Sequence, residues 1–325
     1  MISRKGKSSM EIEEILEKWS GGVYSVSIGA CAEDGGSRKN TVRIGGQKSL
    51  PLLFKEGDIP NRPVIAFEIW DIPPQDWPEG LVSSYGKAPE DPLIWAQMCV
   101  KDFGARLLCL RLQGAHPDCG DKSPEECARF VSSLLEKVSV PLIIIGSGDD
   151  AKDNLVMPAC SEAAKSERCL LGCATQENYK TLAASALADG HSIIAESPID
   201  INIAKQLNIL ISDMGFALDR IVINPTIGAL GYGLEYAYSI MERGRIAALS
   251  GDKTLSSPFI CFTGQESWKA KEAKGGDKQG VIWEIITASS LIQAGADILV
   301  MRHPEAAKRV FGHISVLFGG NNSDH

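Results

Sequence analysis

Three glycines fall within six residues, Gly228, Gly231 and Gly233, inside the stretch Asn224-Pro225-Thr226-Ile227-Gly228-Ala229-Leu230-Gly231-Tyr232-Gly233-Leu234-Glu235-Tyr236. A backbone so free of side chains can approach something flat or bulky, and Tyr232 and Tyr236 can stack on it or donate hydrogen bonds. The spacing is G-x-x-G-x-G with no following Lys-Ser or Lys-Thr. Neither a P-loop nor a dinucleotide loop fits, and a large neutral ring system is the better physical match. The plainer explanation is a tight turn into the next helix. Two carboxylates, Glu68 and Glu196, lie just inside apolar runs, where burial without a partner would be costly. Asn224, Thr226 and Arg302 also sit where such runs end, with Asp71, Arg111, Gln113, Ser147, Asp149, Asp150, Cys173, Thr175, Thr263, Gln265 and His303. For any one of these, a wet loop or a helix cap is the ordinary explanation.

Several chemistries lack their residues. The five histidines, at positions 116, 191, 303, 313 and 325, are scattered, with no H-E-x-x-H and no close pair, so a zinc site has no ligand set. There is no G-x-S-x-G elbow and no D-x-H-x-x-G motif for carrying cobalamin. Cys169 and Cys173 have the first spacing of a C-x-x-x-C-x-x-C cluster, but the third position is Gln176. No strand end supplies the lysine an aldolase would need.

These candidates need elements to position them. Apolar runs occur at Val64–Trp70, Leu107–Leu112, Leu142–Ile145, Cys169–Gly172, Ser192–Ala195, Ile221–Asn224, Phe259–Phe262 and Ile298–Met301. Such continuous runs belong to strands buried on both faces, as in parallel sheets. A helix-length amphipathic segment separates each neighbouring pair, and the repeat is roughly 33 residues, close to a β/α unit. Asp91-Pro92 supplies an N-cap and N1 proline, and Ser123-Pro124-Glu125-Glu126 a capping box. Behind that box, Phe130, Val131, Leu134, Leu135 and Val138 form one apolar face. Gly104, Gly190 and Gly295 stand where helices should stop before strands. The expected fold is α/β, a (β/α)8 TIM barrel over residues 61–318, with function gathered at the C-terminal strand ends. An open doubly wound sheet is the alternative, but Trp70-Asp71-Ile72-Pro73-Pro74 stands where its glycine fingerprint should be. Residues 1–60 read as an extension capping the barrel: a helix over Glu11–Trp19, then strands at Val23–Ile28 and Thr41–Ile44. Residues 319–325 read as a flexible tail.

The chain has 325 residues, 44% hydrophobic and 23% charged, with a net charge of −8. Nucleic acid and anionic membrane would be repelled, and no apolar run approaches the ~20 residues of a membrane span. The basic Met1–Ser9 is followed by no apolar segment, so no secretory signal is expected. Nine scattered cysteines without a C-x-x-C pair suit a reducing cytoplasm.

Pro63-Val64-Ile65-Ala66-Phe67-Glu68, the glycine-rich stretch Asn224–Tyr236, Met241-Glu242-Arg243, Arg245-Ile246-Ala247-Ala248-Leu249 and Gly251-Asp252 together resemble the small subunit of the corrinoid iron–sulfur protein. That family includes the delta subunit of the archaeal acetyl-CoA decarbonylase/synthase complex, and the resemblance covers nearly the whole chain. It implies a barrel with little or no catalysis of its own, paired as a heterodimer with a larger subunit that carries the corrinoid and a four-iron cluster. No iron–sulfur cluster is then expected in this chain. The pair would accept methyl from methyltetrahydrofolate or methyltetrahydrosarcinapterin through a transient methyltransferase, and pass it to acetyl-CoA synthase. The residues expected near the corrinoid are Asn224, Thr226, Gly228, Gly231, Tyr232, Gly233 and Tyr236, with Glu68, Glu196 and Arg302. The barrel is also similar to pterin-binding methyltransferases; Glu68, Asp149, Glu196 and Asn224 would then hold the pterin.

Overall fold

The computed structural model describes residues 15–319. Two short strands, β1 (Ser25–Ile28) and β2 (Val42–Gly45), pair antiparallel as a hairpin. Eight parallel strands follow: β3 (Val64–Trp70), β4 (Leu108–Arg111), β5 (Leu142–Ile145), β6 (Leu170–Ala174), β7 (Ser192–Glu196), β8 (Ile221–Asn224), β9 (Phe259–Cys261) and β10 (Ala296–Met301). They close into a barrel in chain order, β10 pairing with β3 through Ile298 opposite Val64 and Met301 opposite Phe67. The expected TIM barrel is therefore present, and the open-sheet alternative falls.

The helices are α1 (Glu79–Ser83), α2 (Pro92–Lys101), α3 (Pro124–Lys137), α4 (Asp150–Ala163), α5 (Tyr179–Asp189), α6 (Ile201–Asp213), α7 (Leu234–Leu249), α8 (Thr263–Lys269), α9 (Asp277–Ala294) and α10 (Pro304–Leu317). Asp91 caps α2 through the amides of Leu93 and Ile94, and Ser123 with Glu126 forms the reciprocal capping box of α3. Gly190 and Gly295 end α5 and α9 in the left-handed conformation that costs a side chain dearly. Helix α2 ends earlier, at Lys101, and Gly104 turns the chain at φ 67° three residues on.

Alternation along each strand divides the apolar residues into two cores. One set faces outward against the helices. The other fills the barrel interior: Ala66, Cys109, Ile143, Ile194, Val222, Ile260, Ile298 and Val300. The hairpin contributes Val26, Ile28, Val42 and Ile44 to this same interior core. Its backbone bonds go to Arg168, Ser139 and Ser256, all just ahead of strand starts, so it plugs the N-terminal end.

Two buried arginines fasten the plug. Arg38, between the hairpin strands, donates to the carbonyls of Leu135 and Val138 at the end of α3 and pairs with Glu167 at 2.7 Å. Arg245 of α7 pairs with Asp297 at 2.9 Å and reaches Gln47, whose amide also donates to Asp297 at 2.6 Å. The segment Arg245–Leu249, singled out above, thus holds the floor of the barrel. The helix expected over Glu11–Trp19 has a different outcome: residues 11–14 lie outside the described residues, and 15–19 are not helical. The expected tail lies outside them too, apart from Gly319.

Candidate functional site

The interior alternation carries on by one more step at the C-terminal end, and there the side chains turn polar. Two residues beyond Ala66 comes Glu68; beyond Cys109, Arg111; beyond Ile194, Glu196; beyond Val222, Asn224; beyond Val300, Arg302. Ile145 and Phe262 keep the same ring apolar on two strands. The mouth of the barrel is therefore a layer of mixed polar side chains on rigid strand ends, the place where this fold concentrates function.

One half of the ring pairs its charges internally. Glu68 is fully buried, and Arg302 grips it with Nε to Oε2 at 2.8 Å and Nη2 to Oε1 at 2.7 Å. Arg111 Nε and Trp70 Nε1 also donate to Oε1, at 3.1 and 2.8 Å. Burial alone would raise the Glu68 carboxyl, but the two guanidinium groups outweigh it and hold the pKa at about 2. The Arg302 guanidinium stacks 4.7 Å from the ring centre of Trp77 and 5.6 Å from that of Trp70. Its backbone is held as well: Tyr85 donates its hydroxyl to the Arg302 carbonyl, and the Arg302 N–H donates to Glu284 at 2.6 Å. Glu284, on α9, also accepts from Trp268 Nε1 at 2.8 Å and the His303 amide at 3.2 Å. Burial dominates there and pushes its pKa up to about 7 against the pull of those donors.

The other half stays open. A cavity of about 530 Å³ lies beside the closed half, bounded by Glu196, Asn224, Thr226, Cys173, Asp150 and Asp153, with Ile145, Ile227 and Phe262 as its apolar walls. Asn224 Nδ2 donates to Glu196 Oε2 at 2.8 Å, and its Oδ1 accepts the Thr226 amide at 3.1 Å. That amide therefore has a fixed orientation, and it starts the glycine-rich loop. Asp150 accepts from Asn178 at 2.9 Å. Asp153 reaches back from the first turn of α4 to the Ser147 amide at 2.7 Å, the Ser147 hydroxyl at 2.8 Å and the Gly148 amide at 3.1 Å. Burial raises its pKa against those donors. Burial and the nearby Glu196 push the Cys173 thiol well above its usual range, so at neutral pH it is a thiol and a poor nucleophile. Among the described residues, no group of three or more His, Cys, Asp or Glu side chains is placed to hold a metal ion.

The residues singled out from the sequence thus divide three ways. Glu196, Asn224 and Thr226 meet at the cavity. Glu68 and Arg302 form the buried pair beside it. The rest of the loop, Gly228, Gly231, Tyr232, Gly233 and Tyr236, runs from the cavity edge along the rim. Tyr232 bonds Glu272 at 2.9 Å and is 51% exposed; Tyr236 is 62% exposed. Asp149 caps α4 and Asp71 binds the Gly114 amide and Lys122, so both act structurally. Sequence reasoning missed Asp153, Glu284 and Trp77. An acidic residue in a first helical turn was the one local signal for Asp153. Glu284 and Trp77 gave none: the partners of Glu284 lie 16 to 19 residues away on neighbouring elements, and Trp77 meets Arg302 from the far end of the chain.

A family profile described as CO dehydrogenase/acetyl-CoA synthase delta subunit matches residues 25–316. The chain belongs to this family. It is 36% identical over 315 residues to the acetyl-CoA decarbonylase/synthase complex subunit delta of Methanocaldococcus jannaschii, covering 95% of this chain and 77% of that one. The corresponding subunit of Archaeoglobus fulgidus is 35% identical over 332 residues, covering 97% and 73%. Among solved structures, the dihydropteroate synthase of Xanthomonas albilineans bound to 4-aminobenzoic acid superposes with a TM-score of 0.56 at 13% identity, over 81% of this chain and 95% of that one. That likeness concerns the barrel fold. As a delta-subunit family member the chain is akin to components of a multi-subunit acetyl-CoA complex, and among the described residues no helix is long and apolar enough to cross a membrane.

Proposed function

We propose that this chain is the barrel subunit of a corrinoid iron–sulfur methyl carrier. In this reading its mouth covers the upper face of a corrinoid held by a larger, cluster-bearing subunit, and the pair serves methyl transfer from a methyl-pterin to acetyl-CoA synthase. The observation that carries it is the rim: two tyrosines exposed by half or more beside a polar ring set on rigid strand ends, on a chain of this family. Exposed aromatic rings grouped on one rim make the kind of apolar patch at which partners bind. The residues fit such a group, since Tyr232 and Tyr236 offer flat faces, and Glu196, whose Oε2 takes the bond from Asn224, keeps a second oxygen that can accept from a peripheral amide. His303 stacks on Trp268, and its Nδ1 accepts the Glu305 amide. The corrinoid would supply the methyl-accepting centre. This chain would exclude water and oxidants from it and move aside for each transfer, because transfer needs donor and acceptor close and in line. Nine cysteines with no disulfide among them accord with work in a reducing cytoplasm.

The test is Tyr232→Ala in the purified complex, followed by the rate at which the reduced corrinoid reoxidises in trace oxygen. Faster reoxidation is expected. A rate equal to that of the parent complex would remove the lid from this reading.

One observation favours a second reading, an autonomous pterin-binding methyltransferase: the open cavity combines Asp153, Glu196 and Asn224 with apolar walls wide enough for a flat bicyclic ring. Calorimetric titration of the chain with a methyl-pterin separates the two, since tight binding without the large subunit belongs only to the second.

A further inference from the structure

The glycine-rich loop is fixed on both sides of Tyr232. On one side, Leu230 donates its N–H to Thr287 Oγ1 at 3.3 Å and accepts from Trp283 Nε1 at 3.1 Å. On the other, Leu234 is buried where α7 begins. Between these posts stands Gly231-Tyr232-Gly233, with the glycines at φ 78° and 96°, the left-handed region that suits a residue without a side chain. Tyr232 is thus a half-exposed ring on a short tip whose ends are held.

Its hydroxyl ties the ring to the segment after α8. It donates to Glu272 Oε2 at 2.9 Å and accepts the Lys271 amide at 3.2 Å. That segment is itself set in place, because Ala270 and Ala273 on either side are buried. So held, Tyr232 forms no part of the cavity wall, although Ile227 does. Its backbone nevertheless lies against that wall. A Cβ on Gly228, next to Ile227, would stand 2.2 Å from the Tyr232 carbonyl oxygen. The bond to Glu272 is exposed, and water replaces such a bond at little net cost. The side chain has other staggered rotamers open to it on the same backbone. Held and released states are therefore close in free energy, and anything that binds one better shifts the balance.

We propose that Glu272 is a positioning residue for Tyr232: it parks the ring clear of the mouth, and breaking that bond lets the ring turn inward past Ile227 and over the cavity. The swing is a property of this chain. Its use as a lid rests on the reading of the chain as the barrel subunit of a corrinoid methyl carrier. A side chain that turns on a fixed loop opens and closes the mouth while the barrel stays still.

The test uses the full chain, with Cys173 as reporter, since it lines the cavity and is partly exposed. The probe is N-ethylmaleimide, and labelling of each cysteine is followed by peptide mass spectrometry. Cys31, partly exposed in the hairpin at the opposite end of the barrel, is the internal control. Tyr232→Phe keeps the ring and loses the hydroxyl; labelling of Cys173 is expected to slow about two- to fivefold as the released ring covers the cavity. Glu272→Ala is expected to match it. Tyr232→Ala has no ring to swing and is expected to label as fast as the parent or faster. Neither tyrosine variant changes a charge, so the thiol itself keeps its reactivity. A tyrosine with a merely structural role would move both variants in the same direction. Shifts of one sign in both, or no slowing in Tyr232→Phe, with Cys31 labelled as in the parent, overturn the proposal. In the assembled complex, Tyr232→Phe is expected to slow corrinoid reoxidation, where Tyr232→Ala speeds it. Opposite labelling effects with unchanged reoxidation would keep the swing and remove the lid.

Discussion

Arg302 and Glu68 lie 234 residues apart in the chain and meet as a two-bonded ion pair at the mouth, at 2.7 and 2.8 Å, with Glu68 wholly shielded from water. The pair forms because the last strand of the barrel closes against the first, placing β10 beside β3. It clamps that closure electrostatically, and the Trp70 and Trp77 rings complete the cation's surroundings.

Replacing Glu68 by Gln should therefore leave Arg302 and Arg111 buried with no counter-charge. The expected cost is about 3–5 kcal/mol of unfolding free energy, read from urea denaturation at pH 7. A loss below about 1 kcal/mol would mean that water reaches the pair.

The same carboxylate gives the stability an acid limb. Its folded pKa of about 2 lies below the ordinary 4.5, so its contribution is complete above pH 4.5 and disappears as pH falls toward 2. Roughly 3 kcal/mol should go over that window, and Glu68→Gln should flatten that part of the curve.

Glu284 works in the opposite direction. Its folded pKa, raised to about 7 by burial, means that the folded protein holds a proton the unfolded chain has released. Stability from this group is full below pH 4.5 and declines as pH rises to 7, by up to about 3 kcal/mol. Thermal midpoints measured from pH 5 to pH 8 should fall in the parent and stay nearly level in Glu284→Gln. A parent curve with no slope would show the three donors to Glu284 prevailing over desolvation.

Asn224→Asp would set a second carboxylate where the amide now donates to Glu196 at 2.8 Å. Two like charges so close cannot both ionise, and one proton is retained on the pair. The variant should be about 1–3 kcal/mol less stable than the parent at pH 8, with the defect shrinking by pH 5 as the shared proton rebuilds the hydrogen bond. An equal defect at both values would point to backbone change in the loop instead.

Gly280→Ala tests the packing behind the clamp. An added Cβ would stand 2.2 Å from Cζ3 of Trp268, a ring whose nitrogen is already tied to Glu284. Although alanine favours helix by about 1 kcal/mol, overpacking should prevail and cost about 1–3 kcal/mol net in chemical denaturation. A stabilised variant would mean that the indole can swing aside.

Much of this architecture was legible in the chain itself. The apolar runs located β3, β5 and β8 at their observed ends, and the other strands to within one or two residues. Asp91, Ser123, Gly190 and Gly295 marked helix ends correctly because caps are local chemistry, settled by hydrogen bonds and φ angles a few residues away. Strand periodicity also decides which residues reach the mouth: a side chain two places beyond an interior residue must point the same way. Glu68, Glu196, Asn224 and Arg302 were visible for that reason. The segment at residues 15–19 misled because helical spacing of Ile15, Leu16 and Trp19 counts only where a surface exists to bury it, and Ile15 is left 95% exposed.

What the chain could not disclose is which members of the ring cancel and which stay available. Glu68 and Glu196 look alike in sequence, each inside an apolar run. Only closure of the barrel gives one two arginines and the other a single amide. The same holds for the loop, whose glycines are plain in the sequence while its split between cavity and rim is not. Charge pairing and exposure depend on neighbours from 28 residues away, as for Asn224 and Glu196, to 234, as for Arg302 and Glu68, and those are assigned by the closing of the barrel rather than by any local preference.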